Sequence, residues 1–138
     1  MNMIEARDTI FKIVDQAWSE TGYMTHWSSL PAEFPDNTVL KPWARIWITH
    51  EEAERTNISS GFGRRMVTRK GLLNVHILVP VGNGTDECYE LAQIVLDAIN
   101  DSRTDVIFRF ANAREMRSDG IFEQMMITSI FEYDEFGG

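Results

Sequence analysis

Residues 66–81, MVTRKGLLNVHILVPV, form the most β-prone apolar run in the chain, and the rest reads as something that pairs with it or covers it. From Leu73 the odd positions Leu73, Val75, Ile77 and Val79 make a clean apolar face, with Asn74 and His76 opposite. Carried back through Gly71, the same phase puts Val67 and Arg69 inward together, and Arg69 is a poor core residue. A β-bulge or bend at Gly71 would shift the phase, and glycine suits such a position. The expectation is one long bent strand, or two strands meeting at Gly71, ended by Pro80.

The segments around this run fall into order by their periodicity. Residues 2–21 predict an amphipathic helix, with Met3, Ala6, Ile10, Ile13 and Ala17 at helical spacing and Phe11, Val14 and Trp18 widening the stripe. Gly22 suits the stop beyond it. Residues 23–42 hold Pro31, Pro35 and Pro42 and read as an ordered connector, with room for a short extended piece. Residues 43–50, WARIWITH, alternate as a strand: Ala44, Ile46, Ile48 and His50 share the better core face, and Trp43, Arg45, Trp47 and Thr49 the other. Residues 51–63 break the pattern and read as a long loop with at most one helical turn, and long loops in compact domains are often functional.

After a tight turn at residues 81–85, a second helix is expected over 86–100, capped by Thr85 and buried through Leu91, Ile94, Val95, Ala98 and Ile99. The last third is β again. A short strand at 106–110, a second at 112–117, a turn at Ser118-Asp119-Gly120 and a full strand at 125–133 lead into an acidic tail. Strands segregated from helices by short connections favour an α+β fold: a mainly antiparallel sheet with two helices packed on one face. At 138 residues the chain fits a single domain spanning 1–138.

Chemistry is sparse. His26, His50 and His76 lack ligand spacing to one another or to Cys88, so neither a metal site nor a cofactor is called for. Gly82-Asn83-Gly84-Thr85 lacks the third glycine of a dinucleotide loop and the lysine of a P-loop. Cys88 stands beside Glu87 and Glu90, which oppose a thiolate, so it reads as a small packed side chain. No catalytic constellation emerges, and the chain reads as a non-enzyme. One cysteine fits a reducing compartment. The start lacks the basic head and unbroken apolar run of a signal peptide, and no run approaches the ~20 residues that span a bilayer. A formal charge of −8 argues against a nucleic-acid-gripping or sequence-reading surface. It does not oppose a surface that nucleic acid slides past.

Two asymmetries remain. Arg64, Arg65, Arg69 and Lys70 cluster, and Arg114 and Arg117 form a smaller pair. They are either a solvated strand edge or a docking surface for an acidic partner. Trp43 and Trp47 lie opposite the core face of their strand. They are either part of a subunit interface or covered by the connector.

In order and spacing the chain resembles the phage tail-terminator-like family of small virion proteins, the minor-tail-protein-U type. The resemblance rests on the N-terminal amphipathic helix, the proline-rich connector and the P-W-A-R-I-W strand at Pro42–Trp47. It continues through the segment R-K-G-L-L-x-V-x-I-x-V-P-V-G-x-G at Arg69–Gly84, the following helix and the C-terminal hairpin ending in Phe131–Asp134. It implies a structural subunit that assembles with itself into a ring, typically a hexamer. Such a ring caps the tail tube, stops its polymerisation and offers a head-joining surface. It implies a tail-tube protein and a head-completion protein as partners, and a place in the virion tail after assembly in the host cytoplasm. Trp43, Trp47, Arg64, Arg65, Arg69, Lys70, Arg114 and Arg117 are the candidate subunit or tube contacts. The alternatives are a head–tail connector or tail-completion protein, or a small-ligand-binding or enzymatic α+β domain.

Overall fold

A computed structural model describes residues 1–27, 41–58, 65–82, 86–118 and 120–137, with 24–27, 52–58, 65–66 and 136–137 described by their backbone alone. The order is α1 (Met3–Ser19), β1 (Met24–Trp27), β2 (Trp43–Ile58), β3 (Arg65–Pro80), α2 (Asp86–Asn100), β4 (Ile107–Met116) and β5 (Phe122–Gly137). The strands form one sheet in the order β1-β2-β3-β5-β4. All pairings are antiparallel except β1 with β2. The expected architecture is therefore present: an antiparallel sheet layered with two helices.

Helix α1 starts where the Asn2 side chain accepts from the Glu5 N–H, and ends before Gly22, whose φ of 75° is one that glycine adopts without strain. Its buried stripe is Ala6, Ile10, Val14 and Trp18, one residue per turn. Helix α2 buries Cys88, Leu91, Ala92, Val95 and Ile99. Both stripes join Ala44, Ile46, Leu73, Val75, Ile77, Val79, Ile127 and Phe131 in one core. Each large apolar side chain fully buried there contributes about 1.5–3 kcal/mol.

Beyond the expected strands, residues 24–27 supply the parallel strand β1 within the connector, of which 28–40 lie outside the described residues. The stretch 51–58, expected as loop, continues β2 against β3, and 59–64 lie outside the described residues. Among the described residues β1 pairs with β2 from Trp43 to Ile46, and β3 is the neighbour of this part of β2. The two strands expected at 106–117 are one strand, β4, interrupted by a bulge after Arg109. The acidic tail is part of β5, which runs to Gly137.

The bend expected in the central run is also absent. β3 pairs with β5 from Arg65↔Gly137 to Pro80↔Phe122 with no shift of register. The bulge lies across from Gly71, in β2 between His50 and Glu52. Gly71 is required by space: a Cβ there would strike the Thr49 carbonyl oxygen and come 2.5 Å from Cζ of Phe131. Both neighbours are rigid, one being backbone and the other a fully buried ring. Gly71→Ala should cost about 1–3 kcal/mol, as overpacked cores do. Urea unfolding followed by circular dichroism reads this as a lowered midpoint; an unchanged midpoint contradicts the packing described.

Candidate interaction surfaces

Alternation along each strand assigns every side chain to one of two faces. The helix-covered face carries the core. The helix-free face carries Trp43, Arg45 and Trp47 from β2, and Lys70, Leu72, His76 and Leu78 from β3. It also carries Met126 and Ile130 from β5, and Arg109 and Arg114 from β4, by the registers of the four strands. Arg45 lies over the Trp47 ring at 5.4 Å from its centroid, a cation–π distance. His76 Nε2 meets Gln124 Oε1 at 2.7 Å across β3 and β5.

The candidate contacts are not one patch. Trp43 is 6% exposed and sits across from buried Leu78, so of its two readings the covered one fits this geometry. Trp47 is half-buried. Arg69 does not project from a bend. With β3 unbroken, it stays on the same face as Leu73, past the end of the buried stripe, and is paired with Glu135. Ion pairing relieves the phase conflict that a bulge was expected to relieve. Lys70 lies on the helix-free face beside Leu72, Ile130, Arg109 and Phe110, around a shallow groove of about 300 Å³. Arg114 and Arg117 are exposed on and just beyond β4, on the far side of β5 from Arg69. The side chain of Arg65 and all of Arg64 lie outside the described residues.

One residue that sequence periodicity passed over stands out. Phe110, in the β4 bulge, has φ 56° and is 81% exposed. A left-handed backbone at a bulky residue costs on the order of 1–3 kcal/mol, and burial of the ring does not repay it. The sole trace in the sequence is the break in alternation between Phe110 and Asn112.

The polar end of the core is equally specific. His50 Nε2 lies 2.7 Å from the Tyr133 hydroxyl, and the imidazole packs edge-on against Phe131 and Tyr133. Burial, then the Arg69 guanidinium, hold the His50 imidazole below its usual range, while Glu135 pulls the other way. Burial likewise pushes the Tyr133 phenol up. Thr68 donates to Asp134 one step further out. Cys88 is buried, and burial with Glu123, Glu115 and Glu87 nearby raises its thiol to about 11. Among the described residues no group of three His, Cys, Asp or Glu could hold a metal ion, and no helix is long and apolar enough to cross a membrane.

No protein-family model matches the chain, and no curated protein sequence does. Solved structures do match. One, of a protein that carries no functional name, aligns over 100% of this chain and 99% of its own, with TM-score 0.66 and 14% identity. At that identity the likeness shows the fold alone.

Two measurements check these environments. The folded state resists protonating His50, whereas the unfolded chain accepts the proton near pH 6.5. Stability should therefore fall as pH drops through about 6.5 and go on falling until the folded imidazole itself protonates. The urea midpoint should decline from pH 7.5 to 5.5, with a shallower decline in His50→Gln; equal slopes contradict the assignment. Cys88 should react with a thiol reagent at pH 8 only after denaturant is added.

Proposed function

We propose that this chain is a tail-terminator-type structural subunit that assembles into a ring, caps a phage tail tube and offers a surface for head joining. The observation that supports the reading best is the pair of unlike surfaces on one two-layer domain. The exposed side of α2 carries Asp86, Glu90 and Asp97 and no basic residue. The exposed side of β4 carries Arg109, Asn112 and Arg114. A ring closes through two different patches on each subunit, and this domain has two of opposite charge. The segments that carry the resemblance to the family also sit together. Pro42–Trp47 opens β2, and the stretch from Arg69 to Pro80 is most of β3, its neighbour. A net charge of −8 suits a lumen that DNA passes without sticking.

The test is polymerisation of a phage tail-tube protein with and without this chain, followed by negative-stain microscopy. Added chain should stop tube growth and leave ring-shaped density at one tube end. Tubes of unchanged length with bare ends would sink the reading.

A further inference from the structure

Two features go unused by the fold. One is Phe110, an aromatic ring held out at 81% exposure by a left-handed backbone, with Arg109 and Arg114 on the helix-free face of the same strand. The other is a groove between α1 and α2, with a volume of about 550 Å³. Its floor is Ile13, Ala17, Ile94 and Ala98. These continue the apolar periodicity of both helices, yet they lie outside the buried stripes. Its rim carries Glu20, Asp97 and Asp101 against one base, Arg103. Arg103 Nη1 is already turned onto the Asp101 and Ser102 carbonyls.

We propose that the Phe110 edge of one copy seats in the α1–α2 groove of a second copy. The ring fills the apolar floor, and Arg109 and Arg114 face the acidic rim. Arg109 keeps room for this, since its side chain is 55% exposed while bonded to Glu132. The occupant is a second copy because this chain itself carries the complement in both shape and charge: an aromatic knob flanked by arginines, and an apolar groove flanked by carboxylates. Phe110 borders the groove on the helix-free face, and the α1–α2 groove opens on the helix layer, so the two patches serve different neighbours. Copies joined in this way run head to tail, the arrangement that rings require. The inference rests on the self-assembly proposed above and names its surfaces. An aromatic anchor entering a pocket, with charged groups at the rim, is the pattern of an interface hot spot.

Two broken variants make the test. Phe110→Ala lacks the knob and keeps the groove; Asp97→Lys with Asp101→Lys keeps the knob and repels arginines at the groove. Circular dichroism melts confirm that both fold. In sedimentation velocity each variant alone should run as a monomer, while their equimolar mixture forms a dimer, because one intact knob meets one intact groove. If either variant alone assembles as the wild type does, the proposed surfaces are overturned while the ring reading stands. If the wild type stops at a dimer that both variants abolish, the surfaces stand and the ring reading fails. A wild type that stays monomeric at every concentration overturns both.

Discussion

Gly71 is where this sheet is held together. Thr49 of β2 and the Phe131 ring of β5 converge on it from two sides, and neither leaves room for a side chain. That close approach lets Phe131 lie flat in the core and stack with Tyr133, at 6.3 Å between centroids. It also fixes where the sheet outgrows its helices. On one side of Gly71 the odd positions of β3 are buried apolar residues; on the other, residues 67–70 are half-buried and polar groups begin to pair. His50, opposite Gly71, marks the border with its contact to the Tyr133 hydroxyl. The extra residue that β2 needs at this point is taken up by its own bulge, so β3 and β5 run through undisturbed.

From that border the two halves of the molecule follow different rules. The helix-covered half obeys burial: periodic stripes meet, and hydrophobic area sets the energy. The half beyond it is held by backbone ladders and charge pairs such as Arg69–Glu135, which at partial exposure adds little to stability, ~1 kcal/mol or less. A domain built this way presents one acidic helical surface and one basic strand surface. The proposed assembly would use that difference, with the strained Phe110 of the β4 bulge beside the basic strand surface.

The fold was largely readable because its core is periodic. Leu73–Val79, the two helices and the last strand each repeat at the spacing of their element and form where periodicity put them, although Met3 and Ile94, expected in the helical stripes, are exposed. What was missed lies where burial on one face is absent. Residues 51–58 are polar on both faces, so a strand there shows no alternation; β3 supplies the ladder instead. Arg69 suggested a bend because a lone arginine on a core face conflicts with burial. Its resolving partner, Glu135, is 66 residues away and invisible to local pattern. For Trp43, alternation assigned a face and left open whether a subunit interface or the connector covers it; the residue is 6% exposed. Phe110 carried almost no signal, since a positive φ at a non-glycine residue follows from a bulge whose position only the β5 register fixes.

Native mass spectrometry of the purified chain across a range of concentrations tests the central claim of closed head-to-tail assembly most directly. A ring predicts one discrete oligomer of at least three copies, persisting with no higher ladder above it. A monomer at all concentrations, or an open series of growing oligomers, would contradict it.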